Sequence, residues 1–186
     1  NYMPLIRKAL AAEFPQIPVI SINFSGLEKD NAFKIGVKLF LKLAYAIFYG
    51  DSIMWCYNQT KPYESNAGDA DKARGQAVDY VVGLYEKGGY NKYKKVNKKI
   101  IEIFAAVPRT KEKKVKVGIV GEIYVKYSRL GNNNLESFLL SENCEPVVPA
   151  LIDFVLYCIV NVINDYKFYG HNKGTAFIYD KVYKLV

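Results

Sequence analysis

The sequence has few of the residues that build disulfide frameworks, metal centres and catalytic triads. Its 186 residues include three cysteines and one histidine. The number of cysteines is odd and none stands in a C-x-x-C pair, so the pattern favours reduced thiols in a cytoplasm over a disulfide framework. A triad or a histidine-rich metal site would depend on His171 alone, and we expect this histidine, in the segment "YGHNKGT", to lie in a surface loop.

The sequence also lacks a long apolar run and a glycine fingerprint for phosphate. Its most apolar stretch, residues 147–162, contains Pro149, Asp153 and Asn161 and is shorter than the roughly 20 residues that cross a membrane. The segment "GIVGE", residues 118–122, is neither G-x-G-x-x-G nor a P-loop. We therefore expect a buried strand and a helix in the apolar stretch, and we assign no ATPase motif to the sequence.

Positive charge is abundant and concentrated. The formal net charge is +8, and residues 87–116 hold eleven lysines and arginines against two glutamates. The simplest interpretation is a helix face and a linker in contact with solvent; the alternatives are binding of RNA, of a phosphate-bearing cofactor or of an acidic partner. Nucleic acid is disfavoured because no recognisable binding module accompanies the lysines. We also expect the stripe of Lys34, Lys38 and Lys42 to face solvent and not a membrane.

The first two thirds of the chain have mainly helical periodicity. Apolar residues follow a helical pattern over residues 3–13, about 31–57, about 70–87 and about 91–107. In the last of these helices we expect four residues to face inward: Tyr93, Val96, Ile100 and Phe104. The β-branched run "IPVISIN", residues 17–23, fits a buried parallel strand.

From residue 115 onward, the spacing of apolar residues is no longer that of a continuous series of helices. "VKVGIVG" predicts a strand, "NNNLESFLLSEN" a helix, "CEPVVPA" a second strand and "LIDFVLYCIVNVIND" a second helix. This order with short loops indicates a parallel sheet with right-handed crossovers. We therefore predict an α/β fold of Rossmann- or flavodoxin-like parallel-sheet units in three layers, α/β/α, with a helical insertion.

The predicted divisions are 1–30, the end of a truncated α/β unit; 31–110, a mainly helical segment; and 111–186, the start of a second α/β unit. Both ends of the sequence resemble cuts, so we expect a piece of a larger polypeptide.

The loop between the first of these strands and the next helix is the candidate ligand site. It begins at the carboxyl end of a predicted parallel strand, where open sheets bind ligands, and it leads to a helix start, which attracts anions. The residues that could approach or reach a ligand are Gly121, Glu122, Tyr124, Lys126, Tyr127, Arg129, Asn132, Asn133 and Asn134. The alternative is a simple connection, in which Gly121 turns the chain, the asparagines cap the helix and the aromatic rings pack on a neighbouring domain.

The segments "VGIVGEIYVKYSRLGNNNLESFLL" and "VVPALIDFVLYC" resemble the large proteins related to the activators and dehydratase components of 2-hydroxyacyl-CoA dehydratases. "NYMPLIRKAL…IPVISIN" and "KPYE" (Lys61 to Glu64) agree with this family, which usually has Arg in place of Lys61. The resemblance extends over most of the chain and points to the C-terminal, dehydratase-like region. It makes Lys61 and Glu64 candidate ligand-binding residues, although lysine lacks the planar fork that binds carboxylate or phosphate in a bidentate way.

The resemblance implies iron–sulfur chemistry in the whole protein. In this family an activator that hydrolyses ATP injects an electron into a dehydratase, which holds a cluster, here expected to be [4Fe–4S], on its cysteines. Cys56 and Cys158 lie where such proteins often carry cysteine, so they are the candidate metal ligands, whereas Cys144 has no such support. A cysteine-containing motif is also expected before Asn1. The alternative for Cys56 and Cys158 is a thiol that packs in an apolar helix as a small hydrophobic side chain.

Two functional hypotheses follow. In the first, the chain is a dehydratase-like portion that contributes to an iron–sulfur or CoA-thioester site of a lyase of anaerobic metabolism, and the fragment alone is inactive. In the second, it is a non-catalytic scaffold that docks an activator or electron-transfer partner through its basic helix by charge-guided contacts. Both hypotheses place the chain in the cytoplasm, with other domains of the same polypeptide as partners, and neither involves nucleic acid or a membrane.

Overall fold

The computed structural model describes residues 2–19 and 36–184, and the chain divides into two compact units, 1–42 and 43–186. In the first unit, helix α1 (Tyr2–Glu13) is followed by a turn. Helix α2 (Val37–Asn58) begins in the first unit and continues into the second. Residues 17–19 of the predicted strand at 17–23 are not in a strand; residues 20–23 and Lys34 lie outside the described residues. The divisions proposed from the sequence, at residues 30 and 110, stay predictions.

The second unit contains the other elements. After α2 come a 3-10 turn (Lys61–Tyr63) and the helices α3 (Asp69–Lys87) and α4 (Tyr93–Ala105). Strand β1 (Lys116–Gly118) leads to α5 (Ile123–Tyr127) and α6 (Leu135–Ser141), and β2 (Glu145–Val147) leads to α7 (Leu151–Tyr169) and α8 (Lys173–Tyr183). His171 is exposed between α7 and α8, as predicted.

The prediction of a three-layer α/β/α fold is wrong. The structure is 66% helical, and the only sheet in its described residues has two strands. These strands pair in parallel, with Lys116 opposite Glu145 and Gly118 opposite Val147, so the strand–helix–strand pattern did mark one crossover unit. The prediction of larger, Rossmann- or flavodoxin-like sheets was wrong because each strand has only three residues and the long apolar runs of the chain form helices.

Three helices form the main hydrophobic core. Helix α4 contributes Val96, Ile100 and Phe104, which repeat every four residues and therefore share one face. Helix α3 presents the small residues Ala73 and Ala77, which allow the helices to approach closely. Burial of a side chain such as Ile100 or Phe104 contributes about 1.5–3 kcal/mol. The predicted inward face of α4 is confirmed except at Tyr93, which is 45% exposed because it lies at the first turn, beyond the reach of the core.

Helix α2 is long and apolar. With the turn that follows it, residues Val37–Tyr63, it is the one helix among the described residues that could cross a membrane by length and composition. Its second half contributes Tyr49, Ile53 and Cys56 to the core with α3 and α4. These three side chains therefore pack against protein, whereas Trp55 in the same half is 56% exposed.

A second, smaller core lies beside the parallel strands. Ile119, Leu139 and Val148 are buried there, and Met54 of α2 packs against them. Helices α7 and α8 pack on each other, and no residue of α7 is buried within the part of the chain that the structure describes. Both oxygens of the Asp51 carboxylate, on α2, accept hydrogen bonds from α7: from the backbone N–H of Leu151 (3.0 Å) and of Ile152 (2.9 Å).

Candidate functional site

The loop after β1 is a compact, self-packed segment. Tyr124 lies against Gly131, where a Cβ atom would come within 2.8 Å of the tyrosine ring and 2.9 Å of the Tyr124 carbonyl oxygen. Gly121 has a φ of 148°, which favours glycine, and the side chain of Glu122 is exposed without a cap hydrogen bond. The loop therefore needs glycine at residue 131 to close on itself.

Of the three asparagines at the end of this loop, only Asn132 has side-chain hydrogen bonds to the described residues. The Asn132 side chain accepts a hydrogen bond from the Leu135 N–H (3.3 Å), at the start of α6, and donates one to the Lys126 carbonyl oxygen (3.3 Å). Asn133 and Asn134 are exposed in the left-handed region, with φ of 53° and 56°. Asn132 therefore has a structural role, in agreement with the capping alternative, whereas the side chains of Asn133 and Asn134 face solvent.

The carboxyl edge of the strand pair is closed by the chain itself. The Tyr127 hydroxyl donates a hydrogen bond to the Pro149 carbonyl oxygen, and the Lys126 ammonium lies 5.3 Å from the centroid of the Tyr127 ring. Burial raises the pKa of Tyr127. Since Asp51 already binds the first N–H groups of α7, this helix start holds a carboxylate of the protein in the position where an anionic ligand would bind.

The "KPYE" segment builds a network at the start of α3. The Glu64 carboxylate, of which 8% of the side chain is exposed, pairs with Lys61 (2.5 Å) and accepts hydrogen bonds from the N–H groups of Gly68 (3.0 Å) and Ala70 (2.8 Å). Burial opposes ionisation of Glu64, but the hydrogen bonds from Lys61, Gly68 and Ala70 outweigh it and lower its pKa. Glu64 therefore acts as the acceptor for the first turn of α3.

Asp71 connects this network to an arginine. Its carboxylate accepts hydrogen bonds from Lys61 (2.8 Å), the Tyr57 hydroxyl (2.9 Å) and Arg74 (3.2 Å). The Lys61 hydrogen bond is the largest cause that lowers the pKa of Asp71; burial raises the pKa of Tyr57, and the bond to Asp71 adds to that shift. The Arg74 guanidinium also stacks 4.4 Å from the centroid of the Tyr57 ring. Arg74 is therefore held in one orientation by a carboxylate and an aromatic ring.

Tyr63 connects the "KPYE" segment to strand β2 by a hydrogen bond. Its hydroxyl donates a hydrogen bond to Glu145, a β2 residue that is 3% exposed and also pairs with Lys116 (3.1 Å). The hydrogen bond to Glu145 is the main cause that raises the pKa of Tyr63. The backbone around Tyr63 pairs with residues 108–110 through two hydrogen bonds, so the whole segment is fixed.

An open cleft of about 310 Å³ lies next to Arg74, between α2, α3 and α6. Its apolar lining residues are Gly50, Ile53, Met54, Val78 and Leu140. Its polar lining residues are Tyr57, Asn58, Arg74, Arg129, Glu136 and Ser137. We call this cavity the arginine cleft. An apolar floor with a few convergent polar groups is the usual composition of a small-molecule site.

The polar groups of the arginine cleft differ in how they are held. Asn58 is 4% exposed, and its amide lies 3.5 Å from a carboxylate oxygen of Glu136. Arg129 is exposed, and its side chain has no ion pair or hydrogen bond to any of the described residues. The cleft thus combines a fixed guanidinium, that of Arg74, with one that is free to bind a ligand, that of Arg129.

Sequence reasoning found only part of this cleft. It singled out the loop and noted Arg129, which lines the cleft. It also singled out Lys61 and Glu64, which do not line the cleft: Lys61 binds Asp71, the partner of Arg74, and Glu64 binds Lys61. It missed Asn58, Arg74 and Glu136. The spacing of Asp71 and Arg74 at i and i+3 indicates an ion pair on α3, but nothing in the sequence indicates that Tyr57 joins them.

The cysteines do not form a cluster site among the described residues. Cys56 is 7% exposed in the main core, where burial raises the pKa of its thiol, while Cys158 is exposed on α7. An iron–sulfur cluster needs several thiolates that converge. Within residues 2–19 and 36–184, no group of three or more His, Cys, Asp or Glu side chains could hold a metal ion. The residues described here therefore do not fit a [4Fe–4S] cluster on their own, and the assignment of Cys56 and Cys158 as its ligands stays a prediction.

The second surface feature is a basic groove between α3 and α4, of about 590 Å³ and open to solvent. Tyr80, Leu84, Gly89 and Val96 line it together with four lysines and Glu102. The lysines are Lys92, Lys95, Lys98 and Lys99, all exposed. We call it the lysine groove.

Comparisons with protein-family models, with curated proteins and with solved structures gave no significant match for this chain.

Proposed function

We propose that this chain is the dehydratase-like portion of a protein related to the activators of 2-hydroxyacyl-CoA dehydratases, and that it binds the acyl end of a CoA thioester in the arginine cleft. The family in this proposal comes from the sequence resemblance. The observation that carries the ligand class is the pairing of an apolar floor with Arg74 and Arg129 in one cleft.

The size of the arginine cleft limits what it can hold. A volume of about 310 Å³ is at the low end of the range for ligand pockets, about 300–1,000 Å³. A whole CoA thioester is larger than that, so the acyl group and the thioester would occupy the cleft and the nucleotide part would extend outside it. The acyl chain would lie on Ile53, Met54, Val78 and Leu140.

The two arginines would have different roles. Arg74 is oriented by Asp71 and by the Tyr57 ring, so it loses little conformational entropy when it donates a hydrogen bond to the thioester carbonyl oxygen or to an anionic oxygen of the ligand. Arg129 has a flexible, unpaired side chain, and it would bind an anionic group at the rim. Glu136 and Asn58 would accept and donate hydrogen bonds to a hydroxyl group on the acyl chain.

The chain is proposed as a binding portion and not as a complete enzyme. Dehydration in this family depends on a cluster, and the described residues do not form one. We therefore expect the isolated chain to be inactive, with its cytoplasmic partners being other domains of the same polypeptide.

The test is a calorimetric titration with butyryl-CoA, with free CoA as the comparison. We expect butyryl-CoA to bind more tightly than CoA, and Arg129→Ala to weaken binding by about tenfold or more, since a hydrogen bond to a charged group contributes about 1.5–3 kcal/mol. Lys113→Ala is the control, because this exposed lysine carries the same charge and lies outside the cleft. Equal affinity of CoA and butyryl-CoA, or equal losses in the two variants, would contradict the proposal.

A second candidate function is a docking scaffold without chemistry, and the lysine groove favours it. Charge-guided docking of an electron-transfer partner needs a surface with a local excess of one charge, which residues 87–116 supply. In a pull-down with a purified activator subunit, we expect capture at low salt and its loss at high salt. Capture that survives high salt would count against docking by charge, and retention of RNA on a filter at low salt would favour nucleic acid instead.

A further inference from the structure

The lysine groove has more positive charge than its own carboxylate can neutralise. Within the described part of the chain, Glu102 is the one acidic residue that lines it, at 4.0 Å from the Lys98 ammonium and 3.9 Å from that of Lys99. These are long, exposed pairs, and solvent and salt screen pairs of this kind strongly. Lys92 and Lys95 have no carboxylate partner among the described residues. The ammonium groups of the lysine groove therefore have weak ion pairs or none with the described residues, and they can bind the carboxylates of an acidic partner.

The floor of the lysine groove is not purely polar. Tyr80 and Leu84 of α3 are half-buried beneath the lysines, and Val96 of α4 is buried between the helices. Along α4, the distance from Lys92 to Lys99 is about 10 Å, which corresponds to two helical turns. A partner that suits this surface has carboxylates repeated at helical spacing and at least one apolar side chain between them.

Two other partner classes fit the lysine groove less well. Helix α4 is amphipathic, but its apolar face, Val96, Ile100 and Phe104, is buried in the main core and is not free to enter a lipid surface. Single-stranded nucleic acid binds mainly through bases that stack on exposed aromatic rings. Among the described residues that line the groove, Tyr80 is the one aromatic residue, and its ring is half-buried and packs against the core.

From these observations we infer that the lysine groove docks an acidic amphipathic helix of a partner protein, with its carboxylates on Lys95, Lys98 and Lys99 and an apolar side chain on Tyr80 and Leu84. This inference deepens the docking function proposed above by defining where the partner binds and what its surface carries. It does not depend on the arginine cleft.

The test uses a synthetic helical peptide of about three turns, with glutamates in one row and leucines beside them. Its control is the same peptide with glutamine in place of every glutamate. Fluorescence anisotropy is measured with the full chain at about 50 mM and about 300 mM salt, where the screening length falls from above 10 Å to well below it. An oligothymidine and vesicles that contain phosphatidylserine are measured in parallel.

Two charge-matched triple variants locate the binding surface. The groove variant is Lys95→Glu/Lys98→Glu/Lys99→Glu. The control variant is Lys111→Glu/Lys113→Glu/Lys173→Glu, which changes three exposed lysines outside the groove that form no ion pair with any described residue. Both change the net charge by the same amount. A third variant, Lys95→Gln/Lys98→Gln/Lys99→Gln, avoids repulsion with Glu102 and serves if the groove variant unfolds, as judged by circular dichroism.

We expect the groove variants to weaken binding of the acidic peptide by about tenfold or more, and the control variant by less than about threefold. The glutamine peptide should bind weakly at either salt concentration. Equal losses in the groove and control variants, or tighter binding of the oligothymidine or the vesicles, would overturn the inference. If binding of the peptide is lost in the groove variant but the native chain does not capture a purified activator subunit, the docking function is wrong and the inference stands. If the groove variant still captures the activator subunit, the docking function stands and the inference is wrong.

Discussion

Glu64 provides the sharpest test of how the start of α3 is held. Its carboxylate accepts two backbone N–H groups of that helix and pairs with Lys61, in a site where 8% of the side chain is exposed. In Glu64→Ala, the two N–H groups lose their acceptor and Lys61 keeps only Asp71. Loss of a helix cap costs about 0.5–2 kcal/mol, and loss of a charge-assisted hydrogen bond costs about 1.5–3 kcal/mol. Because these losses overlap, we expect the free energy of unfolding to fall by about 2–4 kcal/mol.

The charge of Glu64 also predicts how this difference depends on pH. The pKa of Glu64 is lower in the folded chain than its ordinary value of 4.5, so its charged form stabilises the folded state above that value. This contribution is lost as the pH falls through the folded-state pKa. Glu64→Gln keeps one acceptor oxygen without the charge, so its difference from the native chain should be largest near neutral pH and should shrink in acid.

The assay is urea unfolding followed by circular dichroism, at neutral pH and in steps to about pH 3. Glu86→Ala is the matched control, because Glu86 is an exposed glutamate of the same helix whose side chain has no hydrogen bond or ion pair to the described residues. We expect this control to change the free energy of unfolding by less than about 0.5 kcal/mol. A Glu64→Ala loss as small as that of the control, or a Glu64→Gln difference that stays constant from neutral pH to about pH 3, would refute the reasoning.

Two further predictions concern glycine and cysteine. Gly131→Ala places a Cβ within 2.8 Å of the Tyr124 ring, and we expect a loss of about 1–3 kcal/mol in thermal or urea unfolding. Gly75→Ala, on α3 with nothing within 4 Å of the new atom, should instead stabilise the chain by up to about 1 kcal/mol, and the opposite order would contradict the contacts of the loop. In the native fold, Cys158, which is exposed, should react with a thiol reagent much faster than Cys56, a residue that is 7% exposed and whose thiol pKa is raised by burial. Comparable rates for the two cysteines, measured with single-cysteine variants, would show that the main core is open around Cys56.

The helical part of the fold could be predicted from sequence because its signal is local. The repeat of Val96, Ile100 and Phe104 with lysines between them specifies which face of α4 is buried, and the structure confirms it. The number of strands has no comparable local signal. A short apolar run such as "CEPVVPA" is compatible with one strand in a pair or with one strand in a large sheet. Which of the two forms depends on how many other strands pair with it.

The candidate site was predictable to a smaller degree, for a related reason. Proline and glycine mark the "KPYE" turn and the loop of Gly121 and Gly131 as special segments. The arginine cleft, however, is assembled from α2, α3, α6 and the loop, and its lining extends from Gly50 to Leu140 in the sequence. Asn58 and Glu136, which contact each other, are 78 positions apart. Contacts at this separation depend on how helices pack, which periodicity does not specify.

We expect helices α7 and α8 to open before the main core unfolds. No α7 residue is buried, while Asp51 and the Tyr127 hydroxyl make three hydrogen bonds to the segment that begins α7. Opening of this pair therefore breaks few contacts with the main core of α2, α3 and α4. Its amide protons would exchange with solvent through a local opening of low free energy, and those of α4 only through cooperative unfolding of the core.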